Sequence, residues 1–248
     1  MQCFKEQGHP SDEMMSVELR DDGLYTAVCE RGHRTLTALQ QQKFEVLFDL
    51  GAMALLDGYP REAITSMAAA LERFYEFYVR VICLKHGVDP ELLNRAWKHV
   101  ENQSERQFGA YVFASILDCP SSAPPTIGDV NPTLLSASRT NTRTWQSFRN
   151  AVVHKGYLPS TAEALAYGDV AFMHINQLVQ QLKESCGEYI HRAIFLSLAR
   201  ANATETQQTI STISIPTLIS LTRAESPPAS LEEAMKQLEK YRRWLHHK

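Results

Sequence analysis

The stretch Phe148-Arg149-Asn150-Ala151-Val152-Val153-His154-Lys155-Gly156 gathers the residue types best suited to chemistry in this chain. On a helix, at about 100° per residue, Asn150 and His154 fall about 40° apart on one face, with Arg149 at its edge. Helical side chains lean toward the N-terminus, so the His154 ring projects back over Asn150, and a long Arg149 reaches toward the same spot. An imidazole exchanges protons efficiently near neutral pH. A guanidinium presents a planar fork of donors to phosphate oxygens and gains as negative charge builds. An amide can orient either partner. Together they suit attack of an RNA 2′-hydroxyl on its own phosphate, which needs no metal. One His supplies only one of the two proton transfers, so the reaction calls for a twofold dimer that sets two such helices face to face.

Charge supports the same place. The chain carries 25 Lys plus Arg against 28 Asp plus Glu, a net charge of −3, which excludes a generally basic nucleic-acid-coating protein. From Asn131 to Ala162, however, no acidic residue occurs, while Arg139, Arg143, Arg149 and Lys155 are present. Single-sign stretches of this kind concentrate phosphate ligands. Arg139, Arg143 and Lys155 are the candidate substrate-binding residues around the catalytic candidates Arg149, Asn150 and His154. A plainer reading fits the same spacing: a surface Arg, and a helix-terminal His that complements the helix dipole.

Arg149-Asn150-x-x-x-His154 resembles the motif of the HEPN superfamily, an Arg, a polar residue and then a His after four intervening positions. The trailing His154-Lys155-Gly156-Tyr157-x-Pro159 is similar to bacterial and phage-associated members. The resemblance spans about Phe44 to Ala201. It implies an α-helical bundle that dimerises through the motif helix. It further implies a metal-independent endoribonuclease in a toxin, abortive-infection or antiviral system, with a possible antitoxin or defence-system partner protein. Catalytically inactive members that bind RNA, a nucleotide or a protein are the alternative.

Three other groups invite a functional reading. Cys3, His9, Cys29 and His33 flank the first strand-like segments, and Cys29-Glu30-Arg31-Gly32-His33 is similar to a zinc-ribbon knuckle. Four such ligands would suit a structural tetrahedral zinc, although no Cys-x-x-Cys pair occurs, and a metal-free degenerate knuckle is the competing reading. Glu72 and Glu76, with Arg73 and Arg80, either line the same pocket as His154 or form a solvated helix face. From Lys236 to Lys248 five Lys or Arg stand against one Glu. That tail is either an ordinary basic helix end or a grip for RNA or a partner.

The elements that must position these groups read as mainly α. At 248 residues with 44% hydrophobic content the chain can build a proper core. It has no apolar run long enough to span a membrane and no visible secretory signal. Five scattered cysteines point to a reducing, cytoplasmic setting. Met14–Leu19 and Leu24–Val28, with Asp21-Asp22-Gly23 between them, predict a hairpin. Helical spacing is expected from about Leu36, through a long helix from Pro60 to Gly87, over Pro90–Lys98 and Glu105–Leu117, and again over Leu134–His154. Ser160 with Glu163 and Ser230 with Glu233 predict capping boxes for two later helices. Ile210, Ile213 and Ile215 allow one strand between them. The expected architecture is a small N-terminal β-hairpin segment (1–36), a HEPN-like helical bundle (37–202), and a Ser/Thr-rich segment with an accessory C-terminal helix (203–248).

Overall fold

The computed structural model describes Glu6, Gly8 and residues 17–129, 142–203 and 210–246. Among these the protein is mainly helical, with a small three-stranded sheet. The chain forms two compact units, each discontinuous in sequence: Met1–Gln41 with His191–Pro216, and Gln42–Ile190 with Thr217–Lys248.

The larger unit is helical. α1 (Lys43–Leu56) starts where the Glu45 carboxylate reaches back to the Gln42 N–H at 2.7 Å, half of a capping box. Gly58, at φ 80°, ends it. α2 (Pro60–Lys85) uses Pro60 in its first turn, where a missing N–H costs nothing, and stops at Gly87 with φ 74°, as its sequence predicts. α3 (Pro90–Trp97) is capped by Asp89, whose side chain accepts the Leu92 N–H at 2.9 Å. α4 covers Ser104–Asp118.

α5 (Trp145–Lys155) carries the motif. Thr144 caps it by accepting the Ser147 N–H at 3.1 Å, and Gly156, at φ 71°, closes it. The helix therefore begins at Trp145 rather than Leu134: residues 142–144 are extended or irregular, and the rest of the expected segment, 134–141, lies outside the described residues. The cap decides this boundary, because the Thr144 hydroxyl oxygen offers the first N–H groups a partner that an extra helical turn would displace.

α6 (Thr161–Ala203) opens on the expected box, with the Ser160 N–H donating to Glu163 at 2.7 Å and the Glu163 N–H to the Ser160 oxygen at 3.3 Å. Its helical geometry breaks at Cys186 (φ −139°). α7 (Leu231–His246) starts with Ser230 accepting the Glu233 N–H at 3.2 Å. Asp169 of α6 also accepts the Leu231 N–H at 2.8 Å.

Phe44 and Phe48 of α1, Phe74 and Met67 of α2, Phe148 of α5 and Phe172 of α6 are fully buried together. The Phe44–Phe74 rings meet edge to face at 5.1 Å, and Phe48–Phe172 lie 5.8 Å apart. Two glycines set the closest approaches. A Cβ on Gly51 would lie 2.7 Å from Met67 Cγ, and one on Gly168 would lie 2.6 Å from Leu231 Cδ2 and 2.7 Å from Met67 Sδ.

The smaller unit holds the sheet, in the order β1 (Leu24–Val28), β2 (Arg34–Leu39), β3 (Ile210–Ile213). β1 and β2 form an antiparallel hairpin with Leu24 opposite Ala38, and β3 joins β2 in parallel with Leu36 opposite Ile210. Leu24, Leu36 and Ala38 pack on one side, with Leu198 of α6.

Two sequence expectations are corrected here. Leu24–Val28 pairs with Arg34–Leu39, not with Met14–Leu19; residues 17–19 are not strand, and Met14–Ser16 lie outside the described residues. Asp21-Asp22-Gly23 does form a turn, with the Leu24 N–H on Asp22 at 3.0 Å, but it leads into β1 instead of joining two strands. Likewise Leu36 lies in a strand, and the helix begins at Lys43. Leu36-Thr37-Ala38 satisfies period two as well as a helical start, and the β-branched Thr35 and Thr37 with an available partner strand decide for β. The late strand falls where the isoleucines predict it.

Candidate functional site

Phe148 and Trp145 anchor α5 from beneath. Both are buried, with the Tyr167 ring 6.3 Å from Phe148 and 6.2 Å from Trp145. Burial pushes the Tyr167 phenol up to about 12, with the positive charge of Arg149 pulling against it. With that face committed to the core, Gln146, Ser147, His154 and Lys155 are exposed and Arg149 and Asn150 half-buried.

Arg149 is held from three directions. Its guanidinium donates to the Asn150 side-chain oxygen at 2.9 Å and to the Ser104 hydroxyl oxygen at 3.4 Å, and it forms an ion pair with the Glu72 carboxylate of α2. Its side chain is only 14% exposed, so these contacts fix its rotamer. Asn150 and Arg149 are thus brought together. His154, one turn beyond Asn150 on the same face, stands open to solvent, and no hydrogen bond or ion pair engages its ring among the described residues. No hydrogen bond links Arg149 to His154. His154 and Lys155 lie in the last turn of α5, where the helix dipole favours positive charge.

Arg143 and Lys155 are exposed to either side. Arg139 lies outside the described residues. The acid-free run of sequence is not acid-free in space: Glu72, from 77 positions earlier, supplies a negative charge to its centre. Sequence spacing allowed Glu72 a place at this pocket or on a solvated face, and it meets the motif arginine. Ser104 gave no such signal, being a helix-start serine 45 positions from Arg149.

Glu76 takes a different role. It accepts from Arg73 at 2.7 Å and from Arg80 at 2.8 Å; Arg73 also donates to Gln107 at 2.7 Å and Arg80 to Asn94 at 2.9 Å. The Arg80 guanidinium lies 5.8 Å over the Trp97 ring. This half-buried network ties α2 to α3 and α4.

At the knuckle, Cys29 and His33 close a tight turn. The Cys29 N–H donates to His33 O at 3.1 Å, the Gly32 N–H to Cys29 O at 2.8 Å, and Gly32 takes φ 76°. The His33 ring nitrogen lies 3.3 Å from the Glu6 carboxylate. Cys3 and His9 lie outside the described residues, and among the described residues no group of three or more His, Cys, Asp or Glu is placed to hold a metal ion. The basic tail is largely paired: Arg242 with Asp57 at 2.8 Å, Arg243 with Glu239 at 2.5 Å and Lys236 with Glu232 at 3.2 Å.

Compared with protein-family models, curated proteins and solved structures, the chain matches none. Among the described residues no helix is long and apolar enough to cross a membrane.

Proposed function

We propose that this chain is a HEPN-type endoribonuclease that cleaves RNA without a metal ion, in a toxin, antiviral or abortive-infection role. The observation that carries the reading is the open, unengaged imidazole of His154 on the same helix face as Asn150, whose amide oxygen is bound to a fixed Arg149. In this reading two copies set their α5 helices together. One His154 takes the proton from the 2′-hydroxyl as its oxygen attacks phosphorus, and the partner's His154 protonates the departing 5′-oxygen. The products are a 2′,3′-cyclic phosphate and a 5′-hydroxyl. Arg149 steadies the charge that builds on the phosphoryl oxygens, Asn150 keeps the guanidinium in place, and Arg143 and Lys155 draw the backbone in.

A second reading has its own support. The Arg149 guanidinium is already spent on Glu72, which favours a non-catalytic HEPN-like module that binds RNA, a nucleotide or a protein partner. Incubation of the purified protein with total RNA in EDTA separates the two. Cleavage with 2′,3′-cyclic ends, lost in His154→Ala with the fold intact, is expected for the nuclease. Binding without cleavage selects the module.

A further inference from the structure

Away from α5, the segment Thr217–Arg223 lies against α1 and α6 through an unusual set of partners. It enters the core by Leu218, Ile219 and Leu221, all buried. It has no strand or helix partner, so its backbone groups are met by charged side chains. Asp49 of α1 accepts the Leu218 N–H at 2.9 Å, and Glu45 accepts the Leu221 N–H at 3.0 Å with its second oxygen on the Gln42 N–H. From α6, Lys183 donates to the carbonyls of Ser220 at 3.3 Å and Arg223 at 2.9 Å. Arg223 folds back to donate to the carbonyls of Thr217 at 2.6 Å and Leu218 at 3.2 Å.

Both carboxylates are nearly inaccessible, Glu45 at 3% exposed and Asp49 at 8%. The charged groups facing them are few. Glu45 meets Asp49, one turn along α1, and Lys183; Asp49 meets Arg223. The two cations do not balance the two acids, because their N–H donors are committed to carbonyls and Lys183 is itself pulled down by burial. Burial outweighs the backbone N–H donors on the two carboxylates and the weaker pull of the cations, and pushes both Glu45 and Asp49 up to about 7.

We propose that residues 217–223 form a proton-controlled latch on α1: it holds under mildly acidic conditions and loosens toward neutral and alkaline pH. Release exposes Glu45 and Asp49 to water, where carboxyls titrate at about 4. The latched state thus binds more protons than the released state between about pH 4 and 7, and rising pH across that window favours release. Each carboxylate raises the opening equilibrium by up to about tenfold per pH unit there, levelling off above about pH 7 to 8.

Amide exchange of residues 217–223, corrected for the intrinsic pH dependence of exchange and referred to the core of α2, reads the opening directly. The expected result is at least a tenfold rise in opening from pH 5.5 to 7.5 in the full-length protein, and a flat profile in Glu45→Gln/Asp49→Asn. A latch whose opening tracks α2 at every pH, or a variant that rises as the wild type does, overturns the proposal. Should the variant not fold, carbon-13 titration of the wild-type carboxyls decides: Glu45 and Asp49 midpoints near neutrality support the latch, and midpoints in the ordinary carboxylate range refute it.

Discussion

Glu72 on α2 and the Glu45–Asp49 pair on α1 put the same functional group to opposite uses. Glu72 sits at a half-open site and pairs with a permanent cation, with the His154 imidazole exposed on the same helix as that cation. Glu45 and Asp49 are sealed under an irregular segment and spend their oxygens on backbone N–H groups. Glu72 has a cation for its partner and strands no backbone N–H, so removing it costs the pair alone. Carboxylates sealed from water lose hydration, so their protonation and their stability role become coupled. The lesson is a division of labour: the open site holds the groups suited to chemistry, and the closed one holds the chain together.

Four experiments strain that division, from the largest effect down. In the proposed nuclease, His154→Ala is expected to cut RNA cleavage by at least about a hundredfold, the usual contribution of a general acid–base, while the melting temperature stays put. A parallel fall in melting temperature would make His154 a structural residue. Glu45→Ala should do the reverse. It strands the buried Leu221 N–H and opens a cavity, at a cost of about 2–4 kcal/mol by urea unfolding, with cleavage per folded molecule unchanged.

The pH dependence of stability carries the next largest signal. Because Glu45 and Asp49 are raised, the native state binds extra protons above about pH 4, so their contribution is present at low pH and is lost as pH rises toward about 7. The wild type should therefore lose stability relative to Asp49→Asn between about pH 5 and 7; a constant difference would remove the closed-site half of the comparison. Glu72→Ala is expected to cost about 1–2 kcal/mol, because it leaves a mostly buried Arg149 without its counter-charge while Asn150 and Ser104 still accept from it. A cost near that of Glu45→Ala would erase the contrast. Separately, metal analysis tests the knuckle: if Cys3, His9, Cys29 and His33 bind zinc, about one equivalent should copurify and fall away in Cys29→Ser.

Much of the framework was legible because its signals are local. Pro60 and Gly87 bracket α2, Ser160–Glu163 and Ser230–Glu233 open α6 and α7, and Gly156 closes the motif helix, each through bonds among residues a few positions apart. The strand pairing was not, since Asp21-Asp22-Gly23 and Cys29–His33 both have turn chemistry and only the sheet chooses between them. The start of α5 was hidden for a related reason: apolar spacing extends upstream of Thr144, and only the Thr144 cap sets the first helical residue at Trp145.

From its sequence alone the chain determined which residues could act together on one helix face, that Asn150 and His154 share it, and that the surrounding run carries no acid. Those follow from helix periodicity and composition. Only the tertiary structure decided that Glu72 and Ser104 converge on Arg149, and that two acids of α1 grip a segment some 170 positions away. Such pairings depend on how helices pack across long loops, and the free energy that selects them comes from burying apolar faces, which says nothing in advance about which polar groups will be trapped together.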